Sequence, residues 1–171
     1  MKRYVRVIAL ICALMMLLSL AACGGDTKET EAPTEESAVE LTDFGWVKFE
    51  MPEGWVDAEE SPAYITVREE TDSHHVVKLF AYDYVTGESV ERIAEEDVAG
   101  DPDRYTLDKA VEIGERTWYP VRFTFNGNDS VRMYTEIDSG HYCYATAFEM
   151  TESDPAVQTI LGTAGFDASK I

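Results

Sequence analysis

Apolar residues along this chain follow three regimes. Val7 to Leu20 is apolar apart from Ser19, Gly24 to Glu40 holds one large aliphatic residue, Val39, and from Phe44 onward apolar positions recur at strand or helix spacing. Near-alternation predicts a strand over Phe44–Met51, with Pro52-Glu53-Gly54 as its turn and Trp55-Val56 opening the return strand. Ala63–Glu69 and His75–Tyr84 read as further strands joined through Thr71-Asp72-Ser73. Over Glu88–Ala99 the period changes: Val90, Ile93, Ala94 and Val98 share one face, which predicts a helix stopped by Gly100 and Pro102. Ala110–Gly114 continuing through Trp118–Phe125, then Val131–Ile137 and His141–Glu149, complete a meander turned by Asn126-Gly127 and Asp138-Ser139-Gly140. Tyr142, Tyr144 and Phe148 make one face of the last strand bulky, and Cys143, Ala145 and Ala147 make the other small enough for a close helix approach. Ser153-Asp154-Pro155 opens a terminal helix through Ala156, Val157, Ile160 and Leu161, ended by Gly162 or Gly165.

The first apolar run follows Lys2, Arg3 and Arg6 and is short for a membrane span, the pattern of a secretory signal. It closes on Leu20-Ala21-Ala22-Cys23, which resembles the bacterial lipobox. That resemblance implies cleavage between Ala22 and Cys23 and a diacylglycerol on the Cys23 thiol, hence a lipoprotein held on the extracytoplasmic side of the cell membrane. Two acyl chains suffice for stable attachment. Residues 1–22 are then the signal peptide, 23–40 the lipidated cysteine with an acidic tether, and 41–171 the globular domain. The tether has too little to bury to offset its ordering entropy. As a coil it reaches about 20–25 Å.

Charge narrows the partners. The full chain carries −19, and loss of three basic residues with the leader leaves 11 basic against 33 acidic residues, or −22. Nucleic acid and anionic lipid would be repelled, whereas a basic envelope protein would be attracted. Cys12 departs with the leader and Cys23 takes the lipid, so Cys143 has no disulfide partner within the mature chain. The domain must be stabilised by burial, for which 131 residues suffice.

Strand pairs, one helix, a meander and a terminal helix specify an α+β class with a mostly antiparallel twisted sheet and helices packed on it. Phe49-Glu50-Met51-Pro52-Glu53-Gly54-Trp55, the meander and the final helix leading into Gly165-Phe166 together resemble the PsbP-like family. The resemblance spans 41–171 and implies an α/β/α sandwich. Its members include extrinsic photosystem II proteins, a eukaryotic nuclear-import factor and bacterial lipoproteins, so it implies no one activity.

Reactive side chains are few. His141 and Cys143 lie two apart on one strand, but no orienting carboxylate or oxyanion loop is legible beside them, and Cys143 falls on the small core-facing side. His74-His75 with Asp72 reads as a turn, since neighbouring strand residues point apart and no zinc-type spacing is present. Asp101-Pro102-Asp103 and Asn126-Gly127-Asn128-Asp129 lack the register of a calcium loop and also read as turns. The expectation is therefore no catalytic residue, no metal site and no cofactor. Tyr82, Tyr84, Trp118, Tyr119, Tyr134, Tyr142 and Tyr144 form an aromatic set divided between core and a partner groove. Two functions remain: a membrane-anchored, non-catalytic domain binding an envelope protein or small ligand, or a surface hydrolase or divalent-cation-dependent enzyme whose site is assembled from distant segments.

Overall fold

The computed structural model describes residues 39–61, 64–84 and 88–171, with a compact unit over Val39–Ile171. Ala22, Cys23 and the tether as far as residue 38 lie outside the described residues.

Eleven strands are described: β1 (Leu41–Asp43), β2 (Val47–Glu50), β3 (Trp55–Ser61), β4 (Tyr64–Glu69), β5 (Val76–Asp83), β6 (Thr106–Leu107), β7 (Val111–Ile113), β8 (Arg116–Phe125), β9 (Asn128–Glu136), β10 (His141–Phe148) and β11 (Gly165–Phe166). Helix α1 spans Val90–Gly100 and α2 spans Pro155–Gly162. All pairings among them are antiparallel. The large sheet runs β3-β4-β5-β10-β9-β8-β6, with β7 also on β8, and the small sheet runs β1-β2-β11. The class is α+β, as the residue pattern predicts.

The large sheet is covered on both sides. One face carries Ile65, Val67, Val77, Leu79, Trp118, Met133, Cys143 and Ala145 into a core shared with Val47 and Phe49 of the small sheet and Val157, Ile160 and Leu161 of α2. The opposite face meets α1, whose Val90 and Ala94 pack with Val121 and Tyr134. The layers are thus a helix, the large sheet, and a mixed layer of small sheet and helix. Strand alternation produces this division directly, because successive side chains leave opposite faces.

Several elements depart from the pattern-based reading. The segment expected as one strand over Phe44–Met51 is preceded by β1 and turns before β2: Gly45 N donates to Asp43 Oδ1 at 2.9 Å and Phe44 N to the Val47 carbonyl at 2.9 Å. Asp43 satisfies its own turn, a local competition that apolar periodicity does not register. Trp55 does not begin a return hairpin, because β2 pairs with β1 and β11 while β3 pairs with β4. Pro52-Glu53-Gly54 instead carries the chain from one sheet to the other, leaving Trp55 half-buried. Strands β6 and β11 are two residues each, too short for periodicity to reveal.

Pro120 sits inside β8 without breaking the ladder. Its carbonyl accepts from Asp108 N at 2.9 Å, so its nitrogen faces the same edge, at the gap between β6 and β7 where no donor is required. β3 forms an outer edge, bulged between Asp57 and Glu59, and Tyr64 donates its hydroxyl to Glu59 at 2.8 Å.

Two glycine positions are dictated by geometry. Asn126 and Gly127 have φ of 52° and 88°, the type I′ turn expected between β8 and β9. Gly114, at φ 62°, lies against α2 so closely that a Cβ there would stand 2.2 Å from the Gly162 carbonyl oxygen. Gly114→Ala should therefore cost about 3 kcal/mol or more, combining left-handed strain with a backbone clash. Gly127→Ala, with nothing within 4 Å of its Cβ, should cost only about 1 kcal/mol. Urea denaturation of the two variants checks the difference, and equal losses would show that the helix shifts freely.

Candidate functional site: an acidic cleft and a tyrosine face

The reactive residues singled out in the sequence do not converge. Cys143 is fully buried and burial pushes its thiol up to about 12, which removes the thiolate that nucleophilic attack requires. His141 stands at the strand end with Nδ1 2.8 Å from Asp138 Oδ1 and Nε2 3.4 Å from Asp83 Oδ1. Asp72 Oδ1 accepts from His74 N at 2.9 Å, closing the expected turn. The two histidine rings then diverge, His74 toward Glu149 at 3.5 Å and His75 toward Glu69 at 2.7 Å. Asp101 caps α1, and its carbonyl accepts from Arg104 N and Tyr105 N. The amides of Asn126 and Asn128 donate to Glu149, at 3.3 and 2.7 Å. Among the described residues no group of three His, Cys, Asp or Glu side chains could hold a metal ion.

A cleft of about 410 Å³ opens where the two sheets and α2 meet. Its first wall is the crossover: Trp55 N donates to the Pro52 carbonyl at 3.1 Å, and Glu70 N to the Gly54 carbonyl at 2.8 Å. Trp55 faces Glu69 across β3 and β4, and the Glu69–His75 pair forms the next wall. Met150 and the start of α2 supply the third. There Asp154 occupies the N-cap position, but its carboxylate accepts from Thr151 N at 2.6 Å and Thr151 Oγ1 at 2.9 Å. Glu50, Glu53, Glu69 and Asp154 line the cleft with His75, and among the described residues neither Lys nor Arg does. The hydrogen bond to Glu69 is the main cause that raises the His75 pKa above its ordinary 6.5.

On the α1 face, Tyr64, Phe80, Tyr144, Tyr134 and Tyr119 stand in direct register across β4, β5, β10, β9 and β8. Ring centroids are 5.5 Å apart for Tyr64–Phe80, 4.7 Å for Phe80–Tyr144 and 5.5 Å for Tyr134–Tyr144. Tyr82 stacks beside this row, 5.7 Å from Tyr142 and 5.6 Å from Tyr144. Helix α1 lies over β6, β8 and β9, and Tyr82 is 43% exposed. Burial pushes the Tyr84 hydroxyl up to about 12 and raises Tyr134 and Tyr144 as well, so these phenols stay neutral. Of the expected aromatic set, Trp118 is the exception: it points into the other core. Tyr64 and Phe80 belong to the row although the sequence reading omitted them; Phe80 stands two residues before Tyr82, the spacing that places both on one face.

No family model matches the chain, and no curated protein matches it. Among solved structures, a crystal structure from Bacteroides thetaiotaomicron VPI-5482 overlays with a TM-score of 0.46 at 14% identity, covering 77% of this chain and 49% of that one. The chain thus spans about half the length of the Bacteroides protein. The solution structure of cyanobacterial PsbP (CyanoP) from Synechocystis sp. PCC 6803 overlays with a TM-score of 0.45 at 10% identity, covering 81% of this chain and 99% of that one.

Two outcomes follow from the titrating groups. Because the folded His75 pKa is raised, the stability it contributes is fully present below about pH 6.5 and is lost as pH rises through the folded value. His75→Gln should flatten that part of the pH profile of the thermal midpoint; an unchanged slope would assign it to other groups. A thiol reagent should leave native Cys143 unmodified and label it only after denaturation. Rapid native labelling would contradict the burial.

Proposed function

We propose that the chain is a lipid-anchored protein of the cell envelope, attached through Cys23 on the extracytoplasmic side, with a PsbP-like domain that acts by binding rather than catalysis. The ligand class is a basic envelope protein or a small molecule. The observation that carries the reading is the tyrosine row running beyond α1, with Tyr82 exposed beside its uncovered part. Stacked tyrosines provide large contact area with few rotors to freeze and a hydroxyl at each tip. The anchoring part rests on Leu20-Ala21-Ala22-Cys23 after a short apolar run. The acidic charge would speed encounter with a basic partner and make association sensitive to salt.

Cys23→Ala should abolish metabolic labelling with palmitate and block appearance of the mature-sized band; persistent labelling would remove the anchor from the proposal. For the binding part, a partner captured on the lipidated protein from native membranes should bind Tyr82→Ala with affinity reduced about thirtyfold, the scale of a 2 kcal/mol hot spot. Raised salt should slow association, while the tyrosine truncation should speed dissociation. A partner that tolerates Tyr82→Ala and Tyr142→Ala together would place recognition elsewhere.

A further inference from the structure

The cleft beside Trp55 has a chemistry separate from the tyrosine face. Two of its carboxylates lack a cationic partner among the described residues: Glu50 and Glu53 make no side-chain hydrogen bond or ion pair. The other two are engaged: Asp154 accepts from Thr151 and its charge acts on His75, and Glu69 has Oε2 on His75 and Oε1 accepting from Thr71 Oγ1 at 3.1 Å. Even with His75 protonated, the cleft retains an excess of negative charge. Apart from Thr159, the remaining lining is apolar or aromatic: half-buried Trp55, buried Met150, and Pro52, Pro155 and Ala156.

A second cavity of about 370 Å³ is lined by Glu115, Glu136 and Tyr119, but there Arg116 already sets a cation among the carboxylates. Arg116 Nη1 donates to the Glu136 carbonyl at 2.7 Å and its guanidinium sits 4.7 Å from the Phe166 ring. The Trp55 cleft instead combines unneutralised carboxylates with an indole wall and about 410 Å³ of space, within the size range of small-ligand sites. Carboxylates select a cation, and an indole adds to that selection when the cation carries an apolar body that can lie along the ring. A compact metal ion would want several oxygens at one point, and these carboxylates are dispersed around the rim.

We propose that this cleft binds an organic cation: an ammonium or guanidinium group on a short aliphatic chain, supplied by a free polyamine or by a Lys or Arg side chain. The head group meets Glu50 and Glu53, and the methylenes lie along Trp55 and Met150.

The test uses the full-length lipidated protein in detergent micelles and follows tryptophan fluorescence. Of the three tryptophans, Trp46 and Trp118 are 4% and 0% exposed, so a change on adding ligand reports on Trp55. Spermidine and N-acetyl-arginine amide are titrated separately at constant ionic strength, with N-acetyl-norleucine amide as the neutral control and magnesium as the inorganic competitor. Saturable signals from the first two, none from the control, and no displacement by magnesium are expected. Binding by spermidine alone would point to a free polyamine, and binding by the arginine derivative to a side chain; either supports the site. Glu50→Gln with Glu53→Gln should weaken binding about tenfold, and Trp55→Phe should retain binding more weakly, read then by calorimetry. Thermal melts establish that each variant folds. Equal affinity in the double glutamine variant, equal binding of the norleucine derivative, displacement by magnesium at matched ionic strength, or no saturable signal at all would each overturn the proposal. Tyr82 and Tyr142 are untouched in these variants, so failure here leaves the partner-binding reading standing, and failure there leaves this one.

Discussion

The architecture depends on β10 lying between β5 and β9. Its register places Cys143, Ala145 and Ala147 opposite Ala81, Leu79 and Val77 on one side of the sheet. On the other side, Tyr144 lies opposite Phe80 and Tyr134. A slip of one residue would send the tyrosines into the core and the small side chains under α1, reversing both layers together. Because β10 returns after α1 and the whole β6–β9 excursion, this pairing also brings β3, β4 and β5 into the same sheet as the meander. Few long-range choices remain once it has formed.

Attachment of α1 rests on a smaller device. Arg132 Nη1 and the Tyr134 hydroxyl both donate to Asp97 Oδ2 at 2.7 Å, joining helix to sheet. The Arg132 guanidinium lies 5.5 Å from the Tyr105 ring and 5.4 Å from the Tyr144 ring, so the cation is held between two aromatic faces as well as by a carboxylate. The apolar face of α1 contributes only Val90 and Ala94 as buried residues. A charged clamp complements that modest contact and fixes which part of the tyrosine row the helix covers.

Local signals carried much of the fold into view. Asn126-Gly127 makes the mirror-image turn, and Pro155 opens α2. Each acts through neighbouring backbone, and sequence records neighbours. What escaped depended on distant segments. Whether Pro52-Glu53-Gly54 folds back or crosses over is decided by β11 taking the free edge of β2, and nothing within residues 44–56 encodes that. The cleft escaped for the same reason, since Glu50, Trp55, His75 and Asp154 come from separate elements. The aromatic set was half legible, because alternation sorted the faces of β10 while the join of Tyr64 and Phe80 to that row required the register.

At β3 the unpaired edge of the large sheet could template any extended chain, and what stands there is a bulge flanked by Asp57 and Glu59. Two copies meeting edge to edge would bring like charges together, so the domain resists growth into an intermolecular sheet while those carboxylates are ionised. Colloidal stability is thereby tied to proton and ion concentration, not to the depth of the core. Acid or concentrated salt would strip away the repulsion and leave the bulge alone to keep foreign strands from docking.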